Sequence, residues 1–201
     1  MVKNIIFDFG QVLVRFAPYE IASCYVANEA DRRLLEQVVF DRKYWDRQDA
    51  GTITNDEMIA SVCADLPAHL HRVVADIVHT WIYHIPPIPG MEDLLVELKG
   101  AGKQLYLLSN IGKTFIEKKD EFPILSHFDG CVFSADVGII KPAREIFECL
   151  CNRYGLNPAE CVFIDDLAAN VAAAKSYGIH ALQFFGDPKE LKARLFALFT
   201  D

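Results

Sequence analysis

The 201-residue chain has no uninterrupted apolar run approaching the roughly 18 residues a membrane span needs, so a membrane protein is not expected. The opening stretch MVKNIIFDFG lacks a charged segment followed by a long apolar stretch and a small-residue cleavage site, so no signal peptide is expected. An excess of basic charge is also missing. Twenty Lys and Arg face 28 Asp and Glu, for a formal net charge of −8, which argues against nucleic acid or an anionic membrane surface as the main partner. A small anionic substrate at a local positive site remains open. The six cysteines, Cys24, Cys63, Cys131, Cys149, Cys151 and Cys161, form no CxxC pair, and several lie in apolar runs. Free buried thiols and a cytoplasmic location follow as expectations. The six histidines show no metal-ligand spacing and read as structural. Internal repeats and low-complexity linkers are absent.

What is present is a strong alternation. From about residue 90, MEDLLVELKG reads as a helix, KQLYLLSN as a strand, CVFS as a strand and PAREIFECLCNRYG as a helix closing on Gly155. CVFIDD, LAANVAAAKSYG, HALQFF and PKELKARLFALF continue the series. Ile5–Phe7 supplies another strand at the start. Continuous apolar strands separated by amphipathic helices predict an α/β fold: a Rossmann-like parallel sheet flanked by helices. Residues 17–85 differ. YEIASCYVANEA, DRRLLEQVVF, TNDEMIASVCADL and HLHRVVADIVHTWIYHI read as helices, with Thr54 and Glu57 at capping-box spacing. The expected organisation is a core of residues 1–16 plus 86–201, with an inserted helical cap over 17–85.

Asp8, Ser109 and the pair Asp165–Asp166 each end an apolar strand, and open parallel sheets bind ligands at that edge. Asp8 has the chemistry to attack phosphorus and form an aspartyl-phosphate. Asp8, Asp165 and Asp166 offer the oxygen ligands that Mg²⁺ prefers. Lys141 supplies a compact charge to neutralise Asp8 and the phosphoryl oxygens. The Ser109 hydroxyl and the Asn110 backbone N–H can hold those oxygens. Asp165–Asp166 also suit a helix N-terminus, and Asn170, one turn on, reads either as a packing residue or as a brace for the acidic loop.

These motifs resemble the haloacid dehalogenase superfamily: FDFGQVLV, LLSN, GIIKP and VFIDD match its four motifs in order, and the resemblance covers essentially the whole chain. Within it, the DxG first motif, the SN pair and KP followed by DD are similar to small sugar-phosphate phosphatases of the alpha-glucose-1-phosphate phosphatase kind. The resemblance implies Asp8 as nucleophile, Ser109 and Asn110 as phosphoryl ligands and Lys141 as the anchor of both. It implies a Mg²⁺ site in which Asp166 is the direct ligand, Asp165 supports it, and the Gly10 carbonyl joins Asp8. One departure matters: Gly10 lacks the carboxyl that normally protonates the leaving group, help typically worth about 10²- to 10⁴-fold.

In the cap, YWDRQDAG marks Trp45 and Arg47 as candidate substrate contacts. The expected activity is Mg²⁺-dependent hydrolysis of a small phosphorylated metabolite such as a hexose phosphate, by a monomer or homodimer. Two alternatives stay open. One is a metal-independent 2-haloacid dehalogenase, disfavoured by the clustered carboxylates. The other is a catalytically impaired phosphate-ligand-binding protein.

Overall fold

The computed structural model describes residues 2–199. Five strands, β1 (Asn4–Phe7), β2 (Gln104–Ser109), β3 (Gly130–Phe133), β4 (Cys161–Asp165) and β5 (His180–Gln183), form one sheet in the order β3-β2-β1-β4-β5. Every neighbouring pair is parallel. The strand residues alternate between two cores, as the period of two in an extended chain demands. Ile5, Phe7, Leu107 and Ile164 bury on one face, and Ile6, Leu108 and Phe163 on the other.

Among the described residues, the insert that follows β1 carries α1 (Pro18–Ser23), α2 (Glu29–Val39), α3 (Arg42–Asp49), α4 (Asn55–Ala64) and α5 (His71–Thr80). Their apolar faces join the core that holds Phe7 and Phe9. Thr54 and Glu57 form the capping box of α4 with both reciprocal bonds made. The helix expected across 19–30 ends at Ser23; α2 starts afresh because the Asn28 side chain accepts the Asp31 N–H at 3.1 Å. α3 was absent from the sequence reading and is started by Asp41, whose carboxylate accepts the Lys43 N–H at 2.8 Å.

Beyond the insert come α6 (Met91–Gly100), α7 (Lys113–Glu117), α8 (Ser134–Val137), α9 (Arg144–Tyr154), α10 (Ala168–Tyr177) and α11 (Pro188–Ala197). α9 begins two residues after Pro142 rather than on it. α9 and α10 cover the second core, and α10 stops where Gly178 turns left-handed at φ 105°. No helix among the described residues is long and apolar enough to cross a membrane, and all six cysteines are free.

Candidate active site

Register places the carboxylates. Phe7 pairs with both Leu107 and Ile164, so the residues just beyond, Asp8 and Asp165, emerge side by side at the carboxyl edge. The Asp8 N–H donates to the Ile164 carbonyl at 2.9 Å and fixes that exit. Ser109 ends β2 on the same edge.

Lys141 is 2% exposed and stands between the two carboxylates. Its Nζ lies 2.7 Å from Asp8 Oδ1 and 2.7 Å from Asp165 Oδ2, and donates to the Leu108 carbonyl at 3.0 Å. Asn110 holds this lysine through its main chain: its side chain accepts the Lys141 N–H at 2.7 Å and donates to the Lys141 carbonyl at 3.0 Å. The Asn110 side chain therefore positions the anchor, a use beyond the backbone contact expected of it. Ser109 is buried, and its hydroxyl makes only a long 3.4 Å bond to the Asn110 carbonyl.

Asp165 is 0% exposed and saturated with donors. Besides Lys141, its oxygens accept the Leu167 N–H at 2.8 Å and the Asn170 amide at 2.9 and 3.0 Å. Asn170 thus braces the acidic loop from the first turn of α10. Asp166 is half-buried and faces the cavity beside Asp8.

One oxygen each from Asp8, Asp165 and Asp166 lies within 4.8 Å of the others. Three carboxylates around one ammonium leave a surplus of negative charge in a buried place. Burial pushes the Asp8 carboxyl up to about 8, with Lys141 opposing and Asp165 adding to the rise. Asp166 is raised for the same two reasons, burial and then Asp165. Burial acts to lower the Lys141 ammonium, but the two carboxylates outweigh it and hold it above its ordinary value. Hard oxygen donors carrying surplus negative charge fit a small divalent cation.

Above this edge is a cavity of about 270 Å³. Its floor is Asp8, Gly10, Ser109, Lys141 and Asp166; its upper wall comes from the region between β1 and β2. Four rings, Phe16, Phe40, Trp45 and Trp81, line that wall, with neighbouring centroids from 5.0 Å (Phe40–Trp45) to 5.8 Å (Phe16–Phe40). Trp45 therefore lies where a substrate contact was expected. Arg47 does not: it is exposed and outside the cavity lining. The reason is helical phase. On α3, Arg42, Trp45, Asp46 and Asp49 share one face at i, i+3, i+4 and i+7, and all four line the cavity, while Arg47 points elsewhere. Arg42, Asp46, Asp49, Phe40 and Trp81 were missed by sequence reasoning; recognising α3 as a helix with Trp45 inward would have found three of them.

A buried carboxylate bonded to a lysine, a carboxylate cluster on the strand ends and a roof of helices define a class, the α/β folds that gather acidic side chains at the carboxyl edge of a parallel sheet. The haloacid dehalogenase-like hydrolase family matches residues 2–178, and the chain belongs to that family. Sesquiterpene phosphatase astK of Aspergillus oryzae is 28% identical over 90% of this chain and 88% of its own length. D-ribitol-5-phosphate phosphatase of Bacteroides thetaiotaomicron is 24% identical over 91% and 92%. Among solved structures, the same bacterium's HAD family enzyme bt-2542, in complex with magnesium and inorganic phosphate, superposes with a TM-score of 0.73 at 22% identity, covering 95% of this chain and 99% of that one. L-2-haloacid dehalogenase from Xanthobacter autotrophicus reaches a TM-score of 0.70 at 19% identity over 98% and 83%. At these identities the two structures establish the shared fold and nothing finer.

Proposed function

We propose that the protein is a Mg²⁺-dependent phosphomonoesterase of a small phosphorylated metabolite, acting through an aspartyl-phosphate on Asp8. The observation that carries this reading is the meeting of Asp8, Asp165 and Asp166 within 4.8 Å beneath a cavity, with Lys141 the one cation bonded among them. A metal-free dehalogenase has no use for so much convergent negative charge, which is why phosphoryl transfer is preferred. The residues that would hold Mg²⁺ are Asp8, Asp166 and the Gly10 carbonyl, with Asp165, already saturated by donors, shaping the loop around it. When bound, the cation supplies the positive charge that lets a phosphate dianion approach a carboxylate.

The chain's own residues do the rest. The Asp8 carboxylate attacks phosphorus as the bond to the leaving oxygen breaks, and water later cleaves the acyl-phosphate to return Asp8 and release phosphate. Lys141 orients Asp8 and balances charge, while the loosely held Ser109 hydroxyl turns to a phosphoryl oxygen. The organic part meets four aromatic rings, three charged side chains and the unpartnered indole N–H of Trp81. A hexose phosphate, with apolar ring faces and hydroxyl groups, suits such a wall.

The test is a panel of phosphate esters with and without Mg²⁺, assayed beside Asp8→Asn. The expected result is Mg²⁺-dependent phosphate release that falls by more than about 10³-fold in the variant. Equal rates in parent and variant, or halide release from 2-haloacids without metal, would remove this reading.

A further inference from the structure

The chemistry above leaves a proton unassigned. A phosphate ester with a poorly acidic leaving group needs a donor at the departing oxygen, and the acyl-phosphate needs an acceptor for the proton of the attacking water. Asp8 becomes esterified, Asp165 is saturated by Lys141, Leu167 and Asn170, and Asp166 is committed to the cation cluster. Gly10 has no side chain. Of the other charged residues that line the cavity, Arg42 and Asp46 pair with each other at 3.3 Å, and both are substantially exposed.

Asp49 remains. It is 9% exposed, it lines the cavity together with Asp8, and its carboxyl makes no hydrogen bond or ion pair with any described residue. Its oxygens are not sealed in the core, so they open to the cavity, where a ligand or water can meet them. Its backbone, by contrast, is held firmly. The Ser134 hydroxyl, at the start of α8, donates to the Asp49 carbonyl at 2.5 Å and accepts the Ile111 N–H at 2.8 Å. One serine thus ties the end of α3 to the loops that follow β2 and β3.

We propose that Asp49 is the general acid and general base of this enzyme, delivered from the cap to replace the carboxyl that Gly10 cannot supply. This rests on the phosphomonoesterase reading. In the first step Asp8 attacks phosphorus, the P–O bond to the leaving group breaks, and protonated Asp49 gives its proton to the departing oxygen. In the second step the Asp49 carboxylate takes a proton from water as that water attacks phosphorus. The bond from phosphorus to Asp8 breaks, phosphate leaves, and Asp49 is again protonated. The environment suits both states. Burial pushes its carboxyl up to about 7, with Asp46 adding to the rise and Lys141 and Arg42 opposing it. Asp8 and Asp166 line the same cavity, and Asp136 is the acidic residue of the neighbouring α8.

The experiment compares parent, Asp49→Asn and the double variant Gly10→Asp/Asp49→Asn on p-nitrophenyl phosphate and on a simple alkyl phosphate. Melting temperatures and pH profiles are recorded alongside. Asp49→Asn is expected to lose about 10²- to 10⁴-fold in kcat/KM on the alkyl ester and less than about tenfold on the nitrophenyl ester, whose leaving group needs no proton. The limb of the pH profile near neutrality should vanish with it. Gly10→Asp should restore much of the alkyl rate, because a Cβ at Gly10 meets no atom within 4 Å. Equal losses on both esters, or no loss on either, overturn the proposal. If Asp49→Asn fails to fold, the parent's own leaving-group series decides: a shallow dependence supports Asp49 and a steep one refutes it. A parent inactive on every ester sinks the phosphomonoesterase reading itself, an outcome distinct from an active parent indifferent to Asp49.

Discussion

Asp8 and Asp165 can be picked out from the sequence because each ends an apolar run and parallel strands carry such ends to one edge, while Lys141 stands out through the GIIKP motif. Asp49 cannot be picked out this way. It sits among polar residues, and only its place on α3 turns it inward while Arg47 turns out. Its burial has a consequence for stability. A carboxyl raised from 3.8 to about 7 in the folded state contributes stability at low pH that is lost as pH rises through the folded value. Asp49→Asn, which never ionises, should therefore match the parent below about pH 4, gain on it between about pH 4 and 7, and hold an advantage of up to about 4 kcal/mol above that. Urea unfolding at several pH values measures this; a constant difference across the range would contradict the buried, unpartnered state described for the side chain.

At the level of elements, the turn after α3 sets where the cavity's upper wall meets α8. Gly51 has φ +66°, and a Cβ built there would lie 2.8 Å from the Ala135 carbonyl oxygen. The backbones of this turn and of α8 approach so closely here that only glycine fits both the conformation and the space. Gly51→Ala should cost about 1–3 kcal/mol of stability and reduce turnover by shifting Asp49 away from its tether on Ser134. A variant with the parent's melting point and rate would show that this contact does not position the wall. The contact of Gly51 with Ala135, 84 residues away in the chain, has no signal in the sequence.

On the scale of the whole molecule, charge is the governing quantity. A chain of net charge −8 that gathers Asp8, Asp165 and Asp166 around one lysine concentrates negative charge in its centre, and a divalent cation bound there would relieve the repulsion. Mg²⁺ at about 100 times its Kd should add about 2.7 kcal/mol, raising Tm by about 5–10 °C for a chain of this size. Chelation should reverse the shift, and Asp166→Asn should abolish it. Scanning calorimetry of the protein with Mg²⁺ and with EDTA checks this apart from any assay of activity; a Tm indifferent to the metal would argue against the site.

From the sequence alone came the parallel sheet, the helical insert and the three polar strand ends, because hydrophobic periodicity and strand-terminal polar residues are local properties of the chain. Only tertiary structure decided that Asn170 and Asn110 serve as braces, that Asp165 is saturated while Asp166 opens to the cavity, and that Asp49 rather than Arg47 lines that cavity. The bracing and the lining depend on helix phase and on hydrogen bonds between residues distant in the chain, and no pattern of neighbours in sequence encodes either.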